Sequence, residues 1–458
     1  MKALKVMGWL LLATFLLVVL LYLILVGINW KDQPPSAAVR QFEQIVASRP
    51  AVAADDNASV FILGFGAPAG ADPVEIGARR MAWLETFEAD TDHATDPLPT
   101  ELSFQNEGSP VVSHLANACG QDADRLQCAS VFESLVRAWQ PDDLDSLALR
   151  RYEALLTRHA WRDVLPTDAA APLPAYANVT HAQRLYLLRL GQWAVQGRLA
   201  EVRAGLDADF AFWRGAIPAA DTLIARLISV SSLRQHFAFA NLILRQLPAE
   251  QAIRALPDDW RREFSPAERS MKRVMAGEMV FWKGIMANAK RQGVQGAALA
   301  NVGPGPLEKL TGYLTDPLFR LQATTNGIAD RRMRLCEDFE VPMNQYLQRE
   351  KAWKEMPAER DLSLYNPVGN MILQLEGGGS YMVYVLRTAS VEGVRRAALL
   401  AFQLHANGVA PEAVGSLVSQ SDLRDPYTEK PFEWNAERHS VTFTAPENHH
   451  WRRSEFFY

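Results

Sequence analysis

The chain has 458 residues, of which 48% are hydrophobic and 22% are charged, and its formal net charge is −5 at pH 7. This composition is typical of a folded protein and excludes a largely disordered chain. The small acidic excess gives no support to nucleic-acid binding, so we expect no nucleic-acid partner.

The first predicted element is an uncharged apolar helix over residues 6–28. At 1.5 Å per residue it is about 34 Å long, which is enough to cross a hydrocarbon core of about 30 Å. Lys2 and Lys5 precede it, and the basic flank of such a helix stays in the cytoplasm. A cleaved signal peptide is the alternative, but its apolar core would be only about 7–15 residues long. We therefore predict a single-pass protein of the bacterial inner membrane, with the lipid bilayer around residues 6–28, a cytoplasmic N-terminus and a periplasmic body.

The next segments predict a connector over residues 33–58 and then a short strand over residues 59–63. A glycine-containing loop at residues 64–70 and a helix over residues 73–87 follow. The loop reads GxGxxxG with a proline inside, whereas the dinucleotide-binding fingerprint is GxGxxG. We interpret the loop as a tight turn and predict no cofactor.

Three cysteines are present, and two of them bracket a short polar loop. A disulfide between Cys119 and Cys128 is expected in an oxidising compartment, whereas two buried thiols would fit the cytoplasm better. Cys336 is left unpaired and is predicted to be a small buried side chain. The spacing of the three cysteines predicts no zinc site.

Helical patterns dominate the middle of the chain. The segment 218–247 is apolar on most faces, which is typical of a central buried helix. Its polar exceptions are Arg226, Arg234 and His236, which either reach the surface, pair inside the protein or line a ligand pocket. Residues 293–315 are rich in Gly, Ala and Pro and predict a long loop.

The C-terminal segment predicts a small α+β unit. Asp425-Pro-Tyr-Thr is typical of a turn, because Asp accepts backbone N–H bonds and Pro restricts φ. Residues 440–444 alternate as a strand does, and Phe432 and Trp434 are expected on the same face as this strand's apolar residues.

This segment resembles an uncharacterised family of bacterial membrane-anchored proteins, in which an NPxG motif precedes a DP[FY]TxKP pattern. The two motifs stand here as Asn366-Pro-Val-Gly369 and as residues 425–431. The segment also resembles the C-terminal part of type II secretion pseudopilins. However, Gly8 is not followed by the glutamate of pseudopilins and their acidic calcium loop is missing, so we do not expect a pseudopilin.

The basic and aromatic tail has two interpretations. It could dock a partner through Trp451, Arg452, Arg453, Phe456 and Tyr458, or it could form a final strand that packs on the domain. We favour the strand, because the hairpin beside it needs a covering element.

We find no HExxH, GxSxG or P-loop motif. The predicted fold is mainly α: a transmembrane helix with its cytoplasmic tip (1–32), a connector (33–58), an irregular helical periplasmic domain (59–360) and a C-terminal unit with a β-hairpin (361–458). The predicted function is a non-enzymatic scaffold or accessory protein that binds another envelope protein. The alternatives are an envelope enzyme without a recognisable motif and a small-ligand binding protein with a helical pocket.

Overall fold

A computed structural model describes residues 2–89, 98–99, 102–103, 108–120, 123–167, 171–292, 306–356, 363–376, 381–446 and 453–458. The described chain is mainly helical and ends in a small three-stranded antiparallel sheet. The predicted fold class is therefore confirmed.

The named elements in the described part of the first half of the chain are all helices. Its helices are α1 (Lys2–Ile28), α2 (Ala37–Ala47), α3 (Ala58–Leu63), α4 (Pro73–Ala89), α5 (Pro110–Ala118), α6 (Arg125–Ala138), α7 (Asp143–Leu156), α8 (Tyr176–Val195), α9 (Leu199–Ala219) and α10 (Leu223–Leu244).

The second half continues with shorter helices, one long helix and the sheet. These elements are α11 (Ala249–Ala255), α12 (Pro266–Arg269), α13 (Lys272–Gln292), α14 (Pro306–Thr315), α15 (Leu321–Asp338), α16 (Tyr346–Glu355), α17 (Pro367–Glu376), α18 (Met382–Ala406), α19 (Pro411–Gln420), β1 (Glu433–Asn435), β2 (Ser440–Thr444) and β3 (Arg453–Phe457).

Helix α1 is long and apolar enough to cross a membrane over Lys5–Ile28, and the rest of the chain does not bury this stretch. Its end is joined firmly to the body. The Asn29 side chain donates to the Leu364 carbonyl (2.9 Å) and accepts from the Asn366 backbone N–H (2.6 Å). Asp32 accepts from the backbone N–H groups of Gln322 (2.9 Å) and Ala323 (3.0 Å) in the first turn of α15. A carboxylate is favourable there, because the N-terminus of a helix carries partial positive charge.

The NPxG motif forms the other side of this junction. Asn366 adopts the left-handed conformation (φ 54°), and its side chain binds the Thr324 hydroxyl (3.0 Å) and the Arg320 backbone N–H (2.8 Å). A Cβ at Gly369 would lie 2.0 Å from the Thr324 hydroxyl oxygen, so only glycine fits. The motif therefore has a structural role in docking the end of α1 on α15.

The main hydrophobic core extends from Ala38 in α2 to Phe457 in β3. Helices α8, α9, α10 and α18 form its centre, where α10 packs against the other three. The C-terminal sheet covers one side of α18, and Gly393 makes this possible because a Cβ there would lie 2.2 Å from the Phe443 ring.

The sheet has the order β1-β2-β3, with Trp434 opposite Val441 and Val441 opposite Phe456. The predicted strand over residues 440–444 is present as β2, and Phe432 contacts Phe443 edge-on across the hairpin (6.2 Å between ring centroids). At the predicted turn, Asp425 Oδ1 accepts from the backbone N–H groups of Tyr427 (2.8 Å) and Thr428 (3.2 Å).

The predicted strand over residues 59–63 is wrong, because these residues form helix α3. The segment is buried on all sides, and a short buried apolar run has no periodicity that separates a strand from a helix. Asn57 caps the helix by accepting from the Ser59 backbone N–H (3.0 Å). Gly64 and Gly77 then allow α3 and α4 to cross in backbone contact, since a Cβ at either would lie 1.9 Å from an opposing carbonyl oxygen.

The predicted loop over residues 293–315 is also wrong in its last part. Pro306–Thr315 is helix α14, followed directly by a 3-10 turn at Asp316–Leu318. Pro306 suits a first helical position, because its missing N–H would have no partner within the helix.

Candidate functional site

A cleft of about 320 Å³ lies beside the N-terminal end of α10. It is bordered by α3, α4, residues 163–166 and 171–174, the start of α10 and the middle of α13. Its walls are mostly apolar and include Leu63, Leu84, Leu173, Ile224, Leu227 and Phe281. Small-molecule sites typically have volumes of about 300–1,000 Å³ and apolar walls with a few polar groups. The cleft therefore has the size and character of a site for a small apolar ligand.

Two carboxylates also line the cleft, and the first is Asp163. Its Oδ1 accepts from the Trp161 indole N–H (2.9 Å) and the Ser59 hydroxyl (3.1 Å), and its Oδ2 accepts from the Asp221 backbone N–H (2.9 Å). Burial, together with the nearby Asp221 carboxylate, raises the pKa of Asp163 to about 6. Because three donors already hold this group in place, we assign it a structural role at the wall.

Asp221 lies behind this wall and connects three parts of the chain. Its carboxylate accepts from Arg49 Nη1 (3.2 Å), from Arg273 Nε (2.8 Å) and from the Asp163 backbone N–H (3.0 Å). The two guanidinium groups compensate the buried negative charge. This arrangement fixes the segment before α10 and hence the shape of the cleft.

The second carboxylate of the cleft is Glu278 from α13. One oxygen accepts from the Leu223 backbone N–H at the start of α10 (3.2 Å), and the other accepts from the Tyr381 hydroxyl (3.2 Å). The same hydroxyl accepts from the Trp282 indole N–H (2.9 Å) and from Arg332 (3.0 Å). Burial raises the pKa of Glu278, and the positive charge of Arg332 opposes this shift. Glu278 therefore places an acceptor beside the apolar walls.

The predicted pocket residues on α10 lie elsewhere than in this cleft. Arg226 is buried and donates to the carbonyl groups of Ile217, Glu268 (3.1 Å) and Ser270 (2.6 Å), and burial lowers its pKa to about 9. Arg234 donates to the Ser390 hydroxyl. Both arginines join α10 to neighbouring segments.

His236 belongs to a buried polar network around Asp209, and neither side chain is exposed to solvent. The Asp209 carboxylate accepts from His236 Nδ1 (2.7 Å), from Gln183 Nε2 (3.2 Å) and from the Tyr152 hydroxyl. His236 Nε2 faces the indole N–H of Trp260 at 3.0 Å. Because an indole N–H can only donate, Nε2 must accept and Nδ1 must carry the proton. The Asp–His pair resembles part of a catalytic triad, but Trp260 occupies the nitrogen that would act as a base.

The described part of the predicted docking tail, residues 453–458, forms strand β3 and the residue after it. Phe456 is only 1% exposed, so it cannot contact a partner in the folded protein, and β3 pairs along β2 as a final strand. Tyr458 packs against His439 and Trp434. Arg453 is exposed, whereas Trp451 and Arg452 lie outside the described residues.

The two predicted cysteine partners are joined. Cys119 at the end of α5 and Cys128 in α6 form a disulfide with a Cα–Cα distance of 4.7 Å, while Cys336 is free and buried. Among the described residues, no group of three His, Cys, Asp or Glu side chains is placed to hold a metal ion.

A second cavity of about 440 Å³ lies between the loop after α3, α7 and α8. Arg151 fills part of it by donating to the carbonyl groups of Phe65 (2.8 Å), Ala67 (2.6 Å) and Pro68 (2.9 Å). The loop thus presents carbonyl oxygens to an arginine, whereas a phosphate site needs backbone N–H groups. Asp145 also lines this cavity; one carboxylate oxygen accepts from the Trp139 indole (2.8 Å).

The sequence predicted a pocket at α10, which borders the first cleft, but it did not identify the residues that line this cleft. The apolar side chains of Ile224 and Leu227 carry no signal that separates a wall of a cleft from a core. Comparisons of the chain with protein-family models, with curated proteins and with solved structures found no match.

Proposed function

We propose that this chain is a binding protein anchored in the bacterial inner membrane, which holds a small apolar ligand in the cleft beside α10. The cleft itself is the observation that carries the proposal, because it combines mostly apolar walls, a ligand-sized volume and a few polar groups, among them the Glu278 carboxylate. A ligand with an acyl chain or a similar apolar body, and with one hydrogen-bond donor, fits this chemistry.

The proposed location rests on two features, helix α1 and the disulfide. Helix α1 has the length and composition of a membrane span, and the basic residues that precede it favour a cytoplasmic N-terminus. The disulfide between Cys119 and Cys128 supports an oxidising compartment for the body, since such bonds are rare in the cytoplasm.

A photo-crosslinking experiment tests the binding function. The full-length protein in mild detergent is irradiated with a fatty acid that carries a diazirine near its chain end, and the modified peptides are identified by mass spectrometry. We expect adducts on the start of α10, and adducts on α1 serve as an internal standard. Leu227→Trp should fill the cleft and remove the α10 adducts, whereas Leu417→Trp on exposed α19 should leave them unchanged.

Adducts confined to α1 in all three proteins would refute ligand binding in the cleft. The scaffold function predicted from the sequence is the alternative. It would be favoured if crosslinking in membranes captured the same envelope protein with the wild type and with Leu227→Trp, since a protein scaffold has no need of an open cleft.

A further inference from the structure

Exposed apolar and aromatic side chains surround the place where α1 meets the body. Tyr313 and Leu314 at the end of α14 are 79% and 48% exposed, and Trp30 and Leu364 beside the end of α1 are 81% and 58% exposed. We call these four residues the membrane-proximal surface. Soluble proteins rarely expose such side chains together, and a cluster of them marks a surface that contacts something apolar.

The end of α14 lies beside the apolar part of α1, not beyond its end. The Tyr22 hydroxyl donates to the Leu314 carbonyl at 3.2 Å. Tyr22 precedes Ile28, the last residue of α1, by six positions, which corresponds to about 9 Å along a helix axis. Leu314 therefore lies beside α1 near the level of Tyr22, inside the end of the apolar helix. Amphipathic helices that lie in a membrane interface bury their apolar face by about 5–10 Å.

The junction of α1 with the body holds α14 at this depth. Besides the bonds of Asn29 and Asp32, the Ser36 backbone N–H donates to Asn326 Oδ1 (2.9 Å), and the Tyr365 hydroxyl donates to the Lys31 carbonyl (3.0 Å). These contacts come from both sides of the segment that leaves α1. The body therefore cannot swing freely about the end of α1, and α14 follows α1 into the same environment.

We propose that α14 is a second membrane contact, which lies at the boundary between headgroups and acyl chains of the bilayer that α1 crosses. The proposal rests on the membrane anchoring proposed above and extends it to a helix of the body. The proposal takes lipid as the occupant of the membrane-proximal surface, because Leu314 contacts Tyr22 of α1 and Leu364 contacts Asn29 at the end of α1. Tyr and Trp are the side chains that membrane interfaces favour, and both are present at its edge.

Spin labelling of the full-length protein in phosphatidylcholine vesicles tests the proposal. Single cysteines are introduced for labelling at Leu314, at Leu16 in the middle of α1 and at Leu417 on α19. The native cysteines stay, since Cys336 is buried and the other two are paired. For each label, the accessibility to oxygen, which concentrates in acyl chains, is divided by the accessibility to a polar nickel chelate.

We expect this ratio at Leu314 to be several-fold higher than at Leu417 and to lie between the values at Leu417 and Leu16. A ratio at Leu314 equal to that at Leu417, with a high ratio at Leu16, would overturn the inference and leave the anchor intact. A low ratio at Leu16 as well would overturn the anchor itself. A label at Leu314 that neither reagent reaches would place α14 against protein and would likewise overturn the inference.

Discussion

The buried network around Asp209 gives the sharpest prediction about stability. Asp209→Ala removes the acceptor of three donors, which are the groups contributed by Tyr152, Gln183 and His236. Each buried donor that is left without an acceptor costs about 1–3 kcal/mol. The substitution also removes the cost of burying the Asp209 carboxylate, which offsets part of the combined cost of the three donors. We therefore expect the free energy of unfolding to fall by about 3–5 kcal/mol.

Asp207→Ala is the matched control, because Asp207 lies on the same helix. Its side chain is 42% exposed and pairs with Arg203 at 2.7 Å. An exposed ion pair contributes about 0–1 kcal/mol. The two variants are compared with the wild type by urea unfolding in mild detergent, followed by circular dichroism and tryptophan fluorescence. If the free energies of unfolding of Asp209→Ala and Asp207→Ala differ by less than about 1 kcal/mol, the network does not stabilise the core to the expected extent.

Three further predictions concern packing, the disulfide and pH. Gly77→Ala should lower the unfolding temperature, because its Cβ would lie 1.9 Å from a carbonyl oxygen of α3. Gly215→Ala should raise the unfolding temperature slightly, because its Cβ would have no atom within 4 Å and alanine favours a helix. Equal effects of the two substitutions would contradict the close crossing of α3 and α4. Replacing Cys119 and Cys128 by Ser should lower the free energy of unfolding by about 2–3 kcal/mol, because the unfolded chain loses a closed loop, and an unchanged urea midpoint would count against the bond. The pKa of Asp163 is about 6 in the fold and 3.8 ordinarily, so the folded state binds its proton more tightly and the stability from this group falls as the pH rises from about 4 to about 6. In Asp163→Asn, the urea midpoint should therefore change less with pH over this range. An unchanged pH dependence of the midpoint would show that other groups cause it.

The sequence alone was sufficient wherever one local signal had one structural solution. The long uncharged run predicted helix α1, and the alternation in residues 440–444 predicted β2. The Asp425 turn was predicted from the hydrogen bonds that this side chain makes to nearby backbone groups. In each case a few neighbouring residues determine the conformation. The mainly helical class followed in the same way, from the 3.6-residue period of apolar side chains.

The sequence failed where the outcome depended on distant segments. Residues 59–63 are a helix, because α4 covers them and two glycines let the backbones meet. The tertiary structure also decided which polar residues of α10 became core groups, since the partners of Arg226 and His236 come from α9 and from residues 260–270. Polar pairing inside a core has no signature within one helix, because the partners are far apart in the chain.

What the sequence by itself determined is therefore the long apolar helix α1, the helical class and the C-terminal hairpin. Only the tertiary structure decided the position of the cleft, the burial of Phe456 and the placement of α14 beside Tyr22. The physical reason is the range of the forces involved. Local hydrogen bonding and hydrophobic period act over a few residues, whereas a cleft or a docked helix depends on how separate surfaces complement each other once the chain is folded.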